Sequence, residues 1–115
     1  MHTHMDFTGK GFIGAAEAKT SNGTRMGTVR LAVTDTWKDK TTGERKERTH
    51  WFTVTCFSDS LVTMIENGWL AKGRYVEVVG QLRDNRWTDN DNREHFEVQL
   101  VAEAVRFLDR KPGQE

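Results

Sequence analysis

The sequence predicts an all-β domain in which five strands form a small Greek-key barrel, with one helix between the third and fourth strands. Two observations support this fold class. The 115 residues include ten glycines but a single proline, Pro112, so long extended segments joined by turns can form without interruption. Apolar residues alternate with polar ones through most of the chain, and only one segment repeats them with the period of an α-helix.

Each predicted strand combines apolar residues with threonine or charged residues in alternation, and turn residues separate the strands. The strands are expected at approximately residues 5–14, 28–37, 49–57, 74–82 and 94–108. Phe12 is assigned to the apolar residues of the first strand, whose glycines allow a bend or bulge. Ser21-Asn22-Gly23 predicts the first turn, and Thr42-Gly43 predicts the tip of a charged hairpin over residues 38–48.

In the last predicted strand, alternation assigns a continuous core-facing set: Phe96, Val98, Leu100, Ala102 and Ala104.

The helix is predicted after the third strand. Ser58-Asp59-Ser60 offers capping side chains, and Leu61, Met64 and Ile65 form an apolar stripe. Asn67-Gly68 signals the end of the helix. The order of three strands, one helix and two strands describes an OB-fold, a five-stranded Greek-key barrel. A ferredoxin-like fold would need a second helix, and an SH3-like barrel would not need this one.

Composition narrows the function classes. Seventeen basic and seventeen acidic residues cancel to a formal net charge of zero, which argues mildly against a partner held by bulk charge alone. The single Cys56 excludes an internal disulfide and a multi-cysteine zinc site. No apolar run approaches the ~20 residues needed to span a membrane, and no signal peptide is visible. A cytoplasmic protein without membrane contact is therefore expected.

The third predicted strand has one unusual face. Its core face carries Phe52, Val54 and Cys56. The opposite face combines two large rings with two hydroxyls: Trp51, Thr53, Thr55 and Phe57. A core face rarely pairs rings with hydroxyls, and a solvent face rarely carries a tryptophan. A surface that stacks flat, partly polar ligands uses both, and nucleobases are such ligands.

Four segments of the chain carry a recognisable pattern. Three are W-K-D-K-T-T-G-E-R-K-E-R-T-H-W, L-A-K-G-R-Y-V-E-V-V-G-Q-L-R, and R-W-T-D followed by E-H-F-E-V-Q-L-V-A-E. The fourth and shortest is G-T-V-R-L-A-V-T-D. Together they cover about residues 27–107, and the first is long and specific. These segments resemble the bacterial-type single-stranded DNA-binding protein family. A phage-type, plasmid-type or tail-truncated member of the family would fit the short C-terminus.

The resemblance implies a non-catalytic protein that coats and protects single-stranded DNA (ssDNA) during replication, recombination and repair, without sequence specificity. It implies base stacking on four rings: Trp37, Trp51, Phe57 and Trp87. It implies phosphate contacts from basic residues around these rings, for which the candidates are Lys38, Lys40, Arg45, Lys46, Arg48, Lys72, Arg83 and Arg86. No cofactor, metal ion or catalytic residue is expected.

The sequence departs from the family pattern at several positions. Phe52-Thr53 stands where the family usually has His-Arg, and Ser58-Asp59 stands where it usually has Gly-Lys. Stacking is therefore expected to dominate, with fewer phosphate contacts than in a typical member. Glu77 stands where a tyrosine often helps to join dimers into tetramers. A homo-oligomer is expected, with the tetramer as the first choice and the dimer as the alternative.

The C-terminus also differs. Residues 1–109 are assigned to the ssDNA-binding domain and residues 110–115 to a short disordered tail, with fraying expected to begin at Asp109. The family normally has a long tail with an acidic tip that recruits partner proteins. Tail-mediated protein partners are therefore expected to be absent.

The sequence also bears on two other function classes, an enzyme and a protein-interaction module. An enzyme is disfavoured because no Ser/His/Asp or Cys/His set, no P-loop and no carboxylate pair is recognisable. His50 and His95 lack metal-ligand spacing, and Trp69 is interpreted as a packing residue. The alternative to ssDNA coating is an OB-fold protein-interaction module, such as a primosome-type accessory subunit with weak nucleic-acid binding. The zero net charge and the replaced basic residues support this alternative.

Overall fold

A computed structural model describes residues 3–109 of the chain. In this range there are five strands, β1 (Asp6–Ser21), β2 (Thr24–Lys38), β3 (Arg45–Cys56), β4 (Tyr75–Thr88) and β5 (Glu94–Phe107), and one helix, α1 (Asp59–Glu66). The strands pair in the order β1-β2-β3-β5-β4 and close into a barrel. The predicted OB-fold is therefore confirmed, including the position of the helix. The predicted tail at residues 110–115 lies outside the described residues.

One pair of neighbouring strands is parallel, whereas the other pairs are antiparallel. β3 and β5 run parallel over a short stretch in which Val54 pairs with Leu100 and Cys56 pairs with Ala102. The reason is geometric: five strands that close into a ring cannot alternate direction at every neighbour. The parallel pair is also the shortest, so β3 and β5 separate soon after they meet.

β1 is longer than predicted. Strand pairing continues past the predicted end at Gly14, because β1 leaves β4 near Phe12 and pairs with β2 as far as Ser21. The register shifts between Ile13 and Ala15, so Gly14 forms a bulge, as the glycines of the predicted first strand suggested. The predicted turn follows at Asn22 and Gly23, which both have positive φ.

The core fills the barrel and extends under α1. Its most deeply buried side chains come from every strand and from the helix region: Ile13, Leu31, Val54, Cys56, Val62, Leu70, Val76 and Val78. Leu61 and Ile65 of the predicted helical stripe are buried as expected. Ser58 occupies the N-cap, but its hydroxyl lies 3.0 Å from that of Ser60 and makes no capping hydrogen bond. Burial raises the pKa of the Cys56 thiol to about 11, which keeps this thiol neutral.

Three apolar residues of the predicted strands are exposed in the barrel region: Phe12, Ala104 and Phe52, which was predicted on the core face of the third strand. Phe12 is exposed and stacks on Tyr75, with ring centroids 4.9 Å apart, because the strand alternation turns Ile13 inward instead. Ala104 is also exposed. A bulge in β5 inserts Glu103 between the residues that pair with Val79 and Gly80, so the inward face changes there.

The end of β5 is fixed by an ion pair. The guanidinium of Arg74 is largely buried, and its Nε and Nη2 donate hydrogen bonds of 2.9 Å to the two carboxylate oxygens of Asp109. The backbone N–H of Tyr75 donates a further hydrogen bond to Asp109. These bonds from Arg74 first, and then from Tyr75, lower the pKa of Asp109. Asp109 is thus part of the fold, and the expectation that it frays is wrong.

Candidate nucleic-acid interface

Two hairpins extend beyond the barrel. β2 pairs with β1 only as far as Ala32, and β4 pairs with β1 only as far as Gln81. Because β3 meets β5 only at residues 54–56, the remaining arms pair within their own hairpins. We call these the β2–β3 hairpin (residues 33–50) and the β4–β5 hairpin (residues 83–99). Nearly all of their side chains are exposed, which makes them accessible to a long ligand.

The turn of the β2–β3 hairpin is organised by Asp39. Its Oδ1 accepts backbone hydrogen bonds from Thr41 (2.8 Å) and Thr42 (3.2 Å), and its Oδ2 lies 3.1 Å from the Nζ of Lys46. The Thr41 bond, followed by Lys46, lowers the pKa of Asp39. Gly43 has a φ of 75°, which confirms the predicted hairpin tip.

The turn of the β4–β5 hairpin is organised in the same way by Asp89. Its Oδ1 accepts backbone hydrogen bonds of 2.9 Å from Asp91 and Arg93, and its Oδ2 lies 2.6 Å from the Nε2 of His95. The hydrogen bond with His95, followed by that from Arg93, lowers the pKa of Asp89. Asn92 adopts a positive φ of 63° to complete the turn.

The four predicted stacking rings are all solvent-exposed, with relative exposures of 47% for Trp37, 51% for Trp51, 43% for Phe57 and 45% for Trp87. Exposure of this size is unusual for large aromatic side chains in a folded domain and leaves ring surface free for a flat ligand. Three of the four belong to β2, β3 and the residue after β3, so the β2–β3 side of the molecule carries most of the exposed ring surface.

Trp51 is held in place on the outer face of the barrel. It pairs with Ala32 across the hairpin, and its ring lies directly over Gly14. A Cβ added at Gly14 would be only 2.4 Å from Cζ3 of the indole, so the ring requires a glycine there. The guanidinium Cζ of Arg30 lies 5.2 Å from the indole centroid, within the range of a cation–π interaction.

Trp37 lies on the other face of the β2–β3 ribbon. It pairs with Lys46, five positions along β2 from the residue that pairs with Trp51. Because side chains alternate between faces, an odd separation turns Trp37 away from the face of Trp51. Phe57 follows the end of β3, six residues from Trp51, a distance of about 20 Å along an extended chain. The rings therefore do not form one flat platform, and a strand that contacts them all must curve.

Trp87 is positioned by its cross-strand partner. It pairs with His95, and the two rings are stacked with centroids 5.3 Å apart and an interplanar angle of 16°. The imidazole therefore covers one face of the indole, and the opposite indole face remains for another ring.

The eight predicted phosphate contacts are all exposed: Lys38, Lys40, Arg45, Lys46, Arg48, Lys72, Arg83 and Arg86. Those on the hairpins have side chains that lie on different faces. Lys38 and Arg45 pair with each other and share the face of Trp51, whereas Lys46 and Arg48 share the face of Trp37. Lys46 is already paired with the carboxylate of Asp39, so only part of its charge is available to a ligand.

The two arginines of the β4–β5 hairpin also point in different directions. Arg83 shares the face of Trp87, because the two are four residues apart on β4. Arg86 lies on the opposite face, where its Nε is 2.8 Å from Asp84 Oδ2 and its guanidinium is 5.7 Å from the centroid of Phe96. The ion pair with Arg86 lowers the pKa of Asp84.

Two candidate residues were missed by the sequence interpretation. Arg30 could have been found by counting strand register outward from the predicted tip at Thr42-Gly43, which sets it near Trp51. Phe96 was assigned to the core, but its relative exposure is 69%, and Val98 is 65% exposed. The core assignment is wrong because this part of β5 lies beyond the barrel, where no other element covers the inward-facing side.

In the described part of the chain, the histidines and carboxylates form ion pairs rather than a metal site. Within residues 3–109, no group of three or more histidine, cysteine or carboxylate side chains could hold a metal ion. His50 instead pairs with Asp35, at 3.1 Å. In the same range no helix is long and apolar enough to cross a membrane.

Comparison with known proteins identifies a family. Residues 11–108 match the model of the single-strand binding protein family. A single-stranded DNA-binding protein of Rickettsia felis is 38% identical over 84 residues, which are 73% of this chain and 55% of that protein. Single-stranded DNA-binding protein 1 of Xylella fastidiosa is 37% identical over 90 residues, 78% of this chain and 65% of that protein. The chain thus spans little more than half the length of these relatives.

Solved structures of single-stranded DNA-binding proteins have a fold similar to that of this chain. A Plasmodium falciparum SSB in complex with ssDNA superposes with a TM-score of 0.76 at 26% identity and covers 95% of this chain and 98% of its own. A small single-stranded DNA-binding protein from Streptomyces coelicolor has a TM-score of 0.65 at 20% identity, covering 92% of this chain and 95% of its own, which supports the fold alone.

Proposed function

The chain belongs to the single-strand binding protein family, and we propose that it binds single-stranded DNA without sequence specificity. In this role it coats and protects ssDNA during replication, recombination and repair. The proposed activity is binding, with no catalytic step. The matched residues 11–108 include the barrel and both hairpins, so every candidate contact residue lies within the family region.

The observation that carries this proposal is the exposure of large rings on the two hairpins and at the end of β3. Trp37, Trp51, Phe57 and Trp87 keep between 43% and 51% of their surface open to solvent. Stacking of one base on one such ring contributes about 1–3 kcal/mol, and every base has a π-face, so the contact is tolerant of sequence.

Charge has a smaller role in this proposal. Two of the candidate cations, Lys46 and Arg86, are already engaged by Asp39 and Asp84. A phosphate must compete with these carboxylates, so each of the two cations contributes less than an unpaired one. Together with the zero net charge, this favours stacking as the dominant contact and a shallow dependence of affinity on salt.

We also propose that the protein acts as a homo-oligomer, with a tetramer as the first choice and a dimer as the alternative. The outer face of β1, β4 and β5 carries a charged group in which Glu77 lies 3.7 Å from Lys10 and 3.6 Å from Arg106. Glu77 is mostly covered by these two partners, so this face is compatible with close approach of a second copy. Sedimentation velocity with and without oligo(dT) will give the stoichiometry. A cytoplasmic location stays a prediction.

Intrinsic tryptophan fluorescence tests the proposed function. We expect oligo(dT) at low salt to quench the emission strongly, because stacked bases quench indoles, whereas duplex DNA of equal length quenches weakly. RNA of equal length serves as a second comparison. Absence of quenching by all three ligands would rule out ssDNA binding and favour the protein-interaction alternative, which is supported by the zero net charge.

A further inference from the structure

The two hairpin turns share one chemical arrangement. In each, a tryptophan is followed two residues later by an aspartate whose Oδ1 accepts backbone hydrogen bonds within the turn: Trp37 with Asp39, and Trp87 with Asp89. In each, the Oδ2 of that aspartate contacts the residue that pairs with the tryptophan across the hairpin. The arrangement therefore consists of a ring, a turn aspartate and a cross-strand nitrogen group.

The two hairpins differ in the nitrogen group. In the β2–β3 hairpin it is Lys46, whose ammonium is charged throughout the physiological pH range. In the β4–β5 hairpin it is His95, and a histidine changes its charge between about pH 5 and 8. The pKa of the Asp89 carboxyl is lowered, so this carboxylate stays ionised across that range.

His95 also touches the ring directly. Its imidazole is stacked on the indole of Trp87 at 5.3 Å with an interplanar angle of 16°, and its side chain remains 43% exposed. A protonated imidazole in this position is a cation over an aromatic face, an arrangement that the ring quadrupole favours. It also places a positive charge, accessible to solvent, beside a ring proposed to stack a base.

We propose that His95 is a titratable positioning residue for Trp87, and that its protonation strengthens ssDNA binding by the β4–β5 hairpin. The proposal rests on the proposed function. At pH values above the range in which a histidine changes its charge, the neutral imidazole holds the indole through stacking and the contact with Asp89. At pH values below that range, the imidazolium adds a charge that a DNA phosphate can contact, while the other indole face still accepts a base.

The surroundings contain both signs of charge. On the face of His95, across β4 and along β5, lie Arg83 and Glu97, and the turn adds Asp89, Asp91 and Arg93. The opposite face of the hairpin carries a further set of charged groups: Asp84, Arg86 and Glu94. These arginines stay charged at every pH used, and the carboxylates are ionised above about pH 5. A change between pH 5.5 and 8 in this hairpin therefore reports on His95.

The test uses variants that exchange the nitrogen groups of the two turns. His95→Gln removes the titration, His95→Lys supplies a fixed cation, and Lys46→His gives the β2–β3 hairpin a titratable group. Dissociation constants for a labelled oligo(dT) are measured by anisotropy between pH 5.5 and 8.5 at constant ionic strength. We expect wild-type affinity to increase about two- to fivefold toward pH 5.5, the size of one exposed ion pair.

Each variant has its own expected dependence of ssDNA affinity on pH. His95→Gln should lose this increase, His95→Lys should bind with the tighter affinity at every pH, and Lys46→His should gain a second increase toward low pH. His50 also contacts an aspartate, Asp35, so the difference between wild type and His95→Gln is the relevant quantity, and His50→Gln is the matched control. Equal pH dependence in wild type and His95→Gln, or its loss in His50→Gln alone, overturns the proposal.

A measurement without DNA separates this inference from the proposed function. The indole N–H resonance of Trp87, assigned with Trp87→Phe, should shift between pH 5.5 and 8.5 in the wild type and not in His95→Gln. A shift without any ssDNA binding would remove the proposed function and keep only the positioning role of His95. Absence of the shift overturns the positioning role even if ssDNA binds.

Discussion

The β2–β3 and β4–β5 hairpins have similar turns but different connections to the barrel. Trp51 lies on β3 immediately after the β2–β3 hairpin, where that hairpin joins the barrel, with its ring over Gly14 and beside Arg30. In the β4–β5 hairpin, Trp87 lies near the tip, and its ring stacks on His95 of the same hairpin. One ring is therefore positioned by three strands and the other by a single two-stranded ribbon.

This difference has a consequence for rigidity. The position of Trp51 depends on packed backbone, which changes only if β1, β2 and β3 move together. The position of Trp87 depends on a side-chain stack and one hydrogen-bonded turn, both of which are solvent-exposed and weaker. We expect the β2–β3 side to provide a constant stacking surface, and the β4–β5 hairpin to provide one that responds to pH and salt.

The largest expected effect compares ring removal in the two hairpins. The double variant Trp37→Ala/Trp51→Ala should lose about 2–6 kcal/mol of oligo(dT) binding free energy, and Trp87→Ala about 1–3 kcal/mol, at about 1–3 kcal/mol per stacked base. Fluorescence anisotropy with a labelled oligonucleotide measures both. Trp69→Ala is the control, because Trp69 borders Met64 and Phe107 on the side of α1, and it should change affinity little. A larger loss in Trp87→Ala would reverse the comparison.

The next effect tests the support of Trp51 by the barrel. Gly14→Ala places a Cβ within 2.4 Å of the indole, so the ring must shift. We expect a loss of about 1 kcal/mol in ssDNA binding, at the low end of the value for one stacked base. Gly9→Ala is the matched control on the same strand, since its Cβ would meet Leu31 at 3.3 Å and not a stacking ring.

A double-mutant cycle makes the result decisive. If Gly14 acts through Trp51, Gly14→Ala should have no further effect on binding in a Trp51→Ala background. An additive loss would mean that Gly14 affects binding by another route.

The sequence was sufficient for the fold and for Trp51 and Phe57, because both depend on local patterns, whereas Trp37 and Trp87 were assigned through the resemblance to the family. Strand alternation, the helix after Phe57 and the tip at Gly43 are encoded within a few residues of each feature. The exposure of Trp51 also followed from alternation, since Val54 and Cys56 had to face the core. What alternation cannot give is the extent of the barrel along each strand.

The wrong predictions arise because the extent of the barrel along a strand is not encoded locally, or because they depend on residues distant in the chain. Phe96 follows the same alternation as Leu100, but it lies beyond the point where β3 meets β5, so its inward face is uncovered. Ala104 changes face because one extra residue forms a bulge. The order at Asp109 depends on Arg74, which is 35 positions away in the chain. Packing between distant segments decides all three.

A smaller effect concerns salt. Lys38→Gln/Arg45→Gln should reduce the slope of log affinity against log salt concentration by about 1.4, at about 0.7 per phosphate contact on single strands. Arg83→Gln/Arg86→Gln should reduce it by less, because Arg86 is already paired with Asp84. Titrations with oligo(dT) at several chloride concentrations measure both slopes. Equal reductions would mean that the ion pair with Asp84 opens at no cost when DNA binds.

The smallest expected effect concerns the two turn aspartates and the pH dependence of stability. The pKa values of Asp39 and Asp89 are both lowered, so each carboxylate stabilises the folded state above the ordinary aspartate pKa. This stabilisation is lost as the pH falls through the lowered pKa. Asp39→Asn and Asp89→Asn should therefore both flatten the decrease in thermal midpoint on the acid side of pH 4, measured by circular dichroism.

The wild type is the control for both variants. If the acid-side decrease in thermal midpoint is the same in a variant and in the wild type, the carboxylate of that turn does not stabilise the folded state through its ionisation. A flattened decrease in only one of the two variants would show that the two turns are not equivalent.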